Sequence, residues 1–126
     1  MMRTLLAASL CLCACSEANE NPAITGREWQ LLTIDGQGFD GAATLTITTD
    51  NAVQGTAPCN SYGSVLRAKP PDFVLGPVRA TRRFCDAMDA ERAYFDALGT
   101  VDRIEVRGSL LHLSGQGRTL TFQASP

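Results

Sequence analysis

The C-terminal end of the chain leaves little choice of topology. Arg103–Arg107, Leu110–Leu113 and Thr119–Ala124 each alternate apolar and polar residues with the period of a half-buried strand. Only Gly108-Ser109 and Ser114-Gly115-Gln116-Gly117 separate them. Links this short demand antiparallel pairing, because a parallel neighbour needs a long crossover. Ile104, Val106, Leu120, Phe122 and Ala124 are placed inward. The same grammar runs upstream. Glu28–Ile34 puts Trp29 and Leu31 on one face, and Ala43–Thr48 puts Leu45 and Ile47 inward. Asp50-Asn51 is a turn, so Ala52–Ala57 returns as a hairpin partner. Pro58 interrupts the ladder because it has no N–H to donate. Asn60–Lys69 resumes with Tyr62, Ser64 and Leu66 on one face, and Phe73–Val78 follows the Pro70-Pro71-Asp72 turn.

One helix is predicted, over Asp86–Leu98. Ala87, Glu91, Tyr94, Phe95 and Leu98 share a helical face. Asp86 is the expected cap, Asp89 and Glu91 suit the positive end, and Gly99 is the expected terminator. Tyr94 and Phe95 are read as core.

The N-terminus fixes the compartment. Met1-Met2-Arg3 is a positive start, Thr4–Leu12 is apolar, and Leu12-Cys13-Ala14-Cys15 resembles a bacterial lipobox. The reading is a signal peptide over residues 1–14, lipidation at Cys15, a polar tether over 15–24, and one domain over 25–126. The apolar run is about ten residues, short of the roughly 20 that span a bilayer, whereas acyl chains supply a stable anchor. Ser16 after the lipidated position resembles signals for the outer membrane, facing the periplasm. The protein is thus expected in the cell envelope, held to the membrane by its N-terminal lipid. A formal charge of −2 gives no bias towards nucleic acid. Arg79, Arg82 and Arg83 form the one basic cluster. It reads as a solvated loop, with an anionic-surface contact as the alternative.

Five cysteines are present, and export removes Cys11 and Cys13 while lipid consumes Cys15. Cys59 and Cys85 remain. In an oxidising compartment an even pair reads as a disulfide. Two free thiols, or a reactive Cys85 just before a helix, are the alternatives. One histidine, His112, and a committed cysteine pair are too few ligands for a metal site. His112 shares a face with Leu110 and is read as packed or superficial. Asp86 and Asp89 suit capping better than acid–base work. Asn60, following Pro58-Cys59, is the candidate polar structural site, expected to satisfy backbone groups at the strand bend.

Several segments together resemble the META-domain family, which includes the HslJ-like heat-shock lipoproteins. They are Gly26-Arg27-Glu28-Trp29-Gln30-Leu31, Cys59-Asn60-Ser61-Tyr62-Gly63, Thr81–Cys85, Glu91–Leu98 and the closing hairpin of Leu110–Leu113 with Leu120–Phe122. Pro58 and Arg83 depart from the pattern, which usually has Gly and Met there. The resemblance implies an α+β fold, an antiparallel sheet curled into a partly open barrel packed around one helix. The functional expectation is a non-enzymatic envelope lipoprotein in stress response or envelope maintenance. It would be a monomer without cofactors, bound to an envelope protein or small ligand. One alternative is a pilot- or chaperone-like lipoprotein that holds an apolar peptide or acyl tail beside Tyr94 and Phe95. The other is an enzyme using Cys85 or His112.

Overall fold

A computed structural model of the chain describes residues 24–126. The signal peptide, Cys15 and nearly all of the tether lie outside the described residues. Nine strands and one helix form in the order β1 (Glu28–Ile34), β2 (Gln37–Gly38), β3 (Thr44–Ile47), β4 (Ala52–Thr56), β5 (Ser61–Val65), β6 (Arg79–Ala80), α1 (Met88–Thr100), β7 (Arg103–Arg107), β8 (Leu110–Gly115) and β9 (Arg118–Ala124). They make one antiparallel sheet in the order β6-β5-β4-β3-β1-β9-β8-β7, with β2 hairpinned onto β1. The sheet is not closed. It curls around α1, as the α+β reading expects.

The three C-terminal segments pair as their short turns require, with Ile104 opposite Leu113 and Leu111 opposite Phe122. Ile104, Leu111, Leu113, Leu120 and Phe122 are all buried, so the inward row of these strands is the core face. Trp29, Leu31, Leu45 and Ile47 supply the rest of that face from β1 and β3. Ile24, at the end of the segment read as tether, is also core: it is buried, and its carbonyl accepts the Trp29 indole N–H at 3.0 Å. His112 lies on the outer face, paired with Glu105 and Thr121, and its Nδ1 is 3.4 Å from the Thr121 hydroxyl.

Phe73–Val78 does not form the expected strand, and Asn60–Lys69 shortens to β5. Pro70, Pro71 and Pro77 remove three donors from this stretch. The donors that remain are divided between two edges of the sheet. Phe73 donates to the Asp102 carbonyl and Ile104 to that of Pro71, at the start of β7, while Arg67 donates to Val74 and Gly76 to Val65, beyond and within β5. Single bridges, Asp72 to Arg103 and Leu66 to Leu75, thus stitch the opening between the two halves. Phe73 is buried at this seam.

The helix begins later than predicted. Its N-cap is Ala87, with no side-chain cap, and Asp86 is exposed and does not serve. Gly99 does not terminate it either. Val101 donates to the Ala97 carbonyl and then takes an extended conformation, buried at 5% exposure, so packing of Val101 ends the helix and feeds β7 directly.

Inside the curl, the Tyr62 hydroxyl donates to the Thr44 carbonyl at 2.6 Å and lies 2.6 Å from the Tyr94 hydroxyl. Tyr62 has one proton, already given to Thr44, so Tyr94 donates to Tyr62. Gly55 makes this possible: a Cβ there would sit 2.0 Å from the Thr44 carbonyl oxygen and 2.8 Å from the Tyr62 hydroxyl. Phe95 stacks edge-on against Tyr62 with ring centroids 5.4 Å apart. Burial pushes the Tyr62 hydroxyl well above its ordinary value, and burial with the neighbouring Tyr62 does the same to Tyr94.

Two measurements check this packing. Trp29→Ala should cost about 3–5 kcal/mol, as for other buried aromatics, whereas His112→Ala should change stability by about 0.5 kcal/mol or less; thermal melts compare them directly. The tyrosine pair sets an alkaline limit. Its folded values are raised, so its contribution is complete below the unfolded value of about 10 and is lost as pH rises from there through the folded values. The chain has two tyrosines, so tyrosinate absorbance should appear only together with the loss of circular-dichroism signal. Ionisation of either tyrosine in a still-folded protein would contradict this.

Candidate functional site

The helix presents one charged residue on its apolar face. Glu91 is 4% exposed, among Tyr94, Ala97 and Leu98. A buried carboxylate is tolerated only when its oxygens are occupied by donors. Here the Cys59 N–H donates to Oε1 at 3.1 Å, the Asn60 N–H to Oε1 at 2.9 Å, and the Asn60 Nδ2 to Oε2 at 2.8 Å. Pro58 and Cys59 form the turn of the β4–β5 hairpin, whose ladder runs to the Thr56–Ser61 pair and closes with the Ala57 N–H on the Asn60 carbonyl at 2.7 Å, so the Cys59 and Asn60 N–H groups lie beyond its last rung and the helix supplies their acceptor.

Asn60 relays that anchor outward. Its Nδ2 also donates to the Arg83 carbonyl at 3.1 Å. Its Oδ1 accepts from the Thr81 hydroxyl at 2.9 Å and from the Arg83 N–H. Thr81 is tied to Ser61 in both directions, through its own N–H and through its hydroxyl. Asn60 thus bonds backbone groups at a bend of the chain. The bend it serves includes the distant segment after β6 as well as its own.

Cys59 and Cys85 are bonded, with Cα atoms 5.6 Å apart and a sequence separation of 26. In the chain-entropy account, closing a loop of this size contributes about 3.5 kcal/mol. The bond and the Asn60 network hold the segment from β6 to the helix at both ends. Every residue from Pro77 to Phe84 is nevertheless exposed. Phe84 is 87% exposed, and Arg79, Arg82 and Arg83 of the same segment have no ion-pair partner among the described residues. The result is a backbone held in place and side chains directed into solvent. Beside it lies an open cleft of about 180 Å³, lined by Thr56, Ala57, Pro58, Asn60, Thr81 and Arg83 among others.

The structure brings together Asn60, Cys59, Cys85 and the arginine cluster. It leaves His112 on another strand pair, against Thr121. Cys15 lies outside the described residues. Among the described residues no three His, Cys, Asp or Glu side chains converge as metal ligands. Sequence reasoning places Glu91 on the apolar face and at the positive end of the helix, without a buried partner, and passes over Phe84. A carboxylate inside an apolar helical stripe, and a phenylalanine between a diarginine and a cysteine, were the signals available.

Asn60→Ala removes a partner from Glu91 and from both backbone groups of Arg83. Orphaned buried groups cost about 1–3 kcal/mol, and the variant should lose about 2–3 kcal/mol in denaturant titration. The isosteric Asn60→Asp should be no better at neutral pH, because it sets one carboxylate against another. Two variants with wild-type stability would show that the network does not hold the site.

The sequence matches the META domain over residues 22–126. A comparison with curated proteins finds no match. Among solved structures, the chain is similar to a protein from Burkholderia xenovorans determined by NMR, at 26% identity and a TM-score of 0.66, covering 81% of this chain and 83% of that one. It is also similar in fold to a DUF4847-family protein from Bacteroides vulgatus, at 11% identity and a TM-score of 0.59, covering 79% and 93% respectively. With the family match running from residue 22 to the last residue of β9 and beyond, the chain belongs to the META-domain family.

Proposed function

We propose that this META-domain chain is a lipid-anchored, non-catalytic protein of the cell envelope, acting in stress response or envelope maintenance by binding through its surface. The observation that carries the binding reading is the Val78–Phe84 segment. Its backbone is fixed by Asn60 and the disulfide while its cationic and aromatic side chains stand free. A surface ordered before it meets a partner loses less entropy on binding. The lipobox at Leu12–Cys15 supports the anchor, and the resemblance to heat-shock lipoproteins supports the stress role.

Three features support a binder over the rivals. Cys85 has its sulfur in a disulfide, so it offers no thiolate. His112 lies on the outer face of β8, and Thr121 is its one side-chain hydrogen-bond neighbour among the described residues. The helix face around Tyr94 and Phe95 is filled: Tyr94 is fully buried, and Phe95 packs against the core.

The anchor is tested by metabolic labelling with a fatty acid. Wild-type protein should take up label and fractionate with membranes, and Cys15→Ser should do neither. Acylation that persists in Cys15→Ser would overturn the lipoprotein reading.

A further inference from the structure

Four of the five phenylalanines serve the core. Phe73 and Phe122 are buried, and Phe39 and Phe95 pack against the buried cluster. Phe84 is the exception at 87% exposure. Val78, at the other end of the same segment, is 41% exposed. Between them stand Arg79, Arg82 and Arg83, none of them ion-paired among the described residues. The nearest carboxylates in sequence are Asp86 and Asp89, and Asp89 is engaged by Arg92 at 3.3 Å. Apolar residues bracketing unpaired guanidiniums suit a surface that is anionic at its face and apolar just beneath.

We propose that Val78–Phe84 is a membrane-contact element, in which Arg79, Arg82 and Arg83 pair with the phosphates of an anionic phospholipid bilayer and Phe84 enters the headgroup region. The proposal rests on the lipid-anchored reading above and names the partner of that surface. An aromatic ring at the headgroup level and arginines on lipid phosphates are both favourable at an anionic interface. The fixed backbone keeps Phe84 from folding back onto the domain. The anchor supplies proximity: nine residue steps separate Cys15 from Ile24, an extended reach of about 30 Å. The longest strands, β1 and β9, have seven residues each, about 24 Å of length. The tether therefore allows any side of the domain to turn to the bilayer, and the charged aromatic segment would select one.

The test uses the lipid-free chain from Ser16 to Pro126, whose core closes within residues 24–126. Co-sedimentation is measured with vesicles of phosphatidylcholine alone and with phosphatidylglycerol added. Binding should require phosphatidylglycerol and fall as salt is raised. Each of Arg82→Gln and Arg83→Gln should weaken it about fivefold, and Phe84→Ala should weaken it about tenfold. A charge-matched control, Arg103→Gln on β7, should bind as wild type. These side chains face solvent, so circular dichroism of the variants should match wild type. Absence of binding to phosphatidylglycerol, equal binding to both vesicles, or equal loss in the control would overturn the proposal. Retention on immobilised polyglutamate without vesicle binding would also overturn it, and would assign the segment to an acidic protein. The assay contains no acylated protein, so its failure is distinct from a failure of Cys15 labelling.

Discussion

A carboxylate placed in an apolar interior has to be answered by donors, and the arrangement of this domain follows from how Glu91 is answered. The helix could pack its tyrosine, alanine and leucine against a curled sheet in more than one register. Only one register brings Glu91 to the N–H groups of Cys59 and Asn60. Those groups stand at the turn of the β4–β5 hairpin, beyond its last rung. The hairpin turn creates the need and the glutamate meets it. The same contact orients Asn60, and through Asn60 the approach to the helix is fixed before the helix starts. That explains why α1 needs no side-chain cap. Its position is set by a disulfide just upstream and a buried acceptor one turn inside.

The strands with strict alternation and short links were legible in the sequence almost to the residue: Glu28–Ile34 and Arg103–Arg107 match β1 and β7 end to end. Their patterns reflect burial on one face and need no knowledge of distant contacts. The stretch from Lys69 to Val78 was misread for the opposite reason. Its residues alternate acceptably, but its prolines cut the donor count, and the few donors left are shared between strands far apart in the chain. No local window reports that sharing. The helix ends were misplaced for a related reason. Asp86 and Gly99 carry the usual signals, yet a disulfide and the burial of Val101 decide the boundaries.

The site was half legible. Asn60 and the cysteine pair stand out by composition, since a polar amide and two cysteines beside a proline invite a structural account. The departure at Arg83 is clarified by its contacts. Its N–H and carbonyl belong to the Asn60 network, and any residue could supply them. Its guanidinium takes no part in that network, so the side chain at this position sets what the surface presents and leaves the frame intact. Position 83 separates the role of a backbone from the role of a side chain within a single residue.

The two ends of the domain lie side by side in the middle of the sheet. β1 and β9 are antiparallel neighbours, and Ser125 donates to the Glu28 carbonyl at 2.9 Å. The sheet's exposed edges come instead from the interior of the sequence, β6 and β7. A short peptide could therefore join the end of β9 to the start of β1, and new termini could be opened at the exposed Gly108-Ser109 turn without removing a strand. Mechanically, a pull applied across both natural ends would load the β1–β9 ladder from one end and part its hydrogen bonds in succession, like a zip. A tension carried by the N-terminal side alone would first meet the buried Ile24 and its bond to Trp29, so the domain resists such a pull at the point where the described chain enters the core.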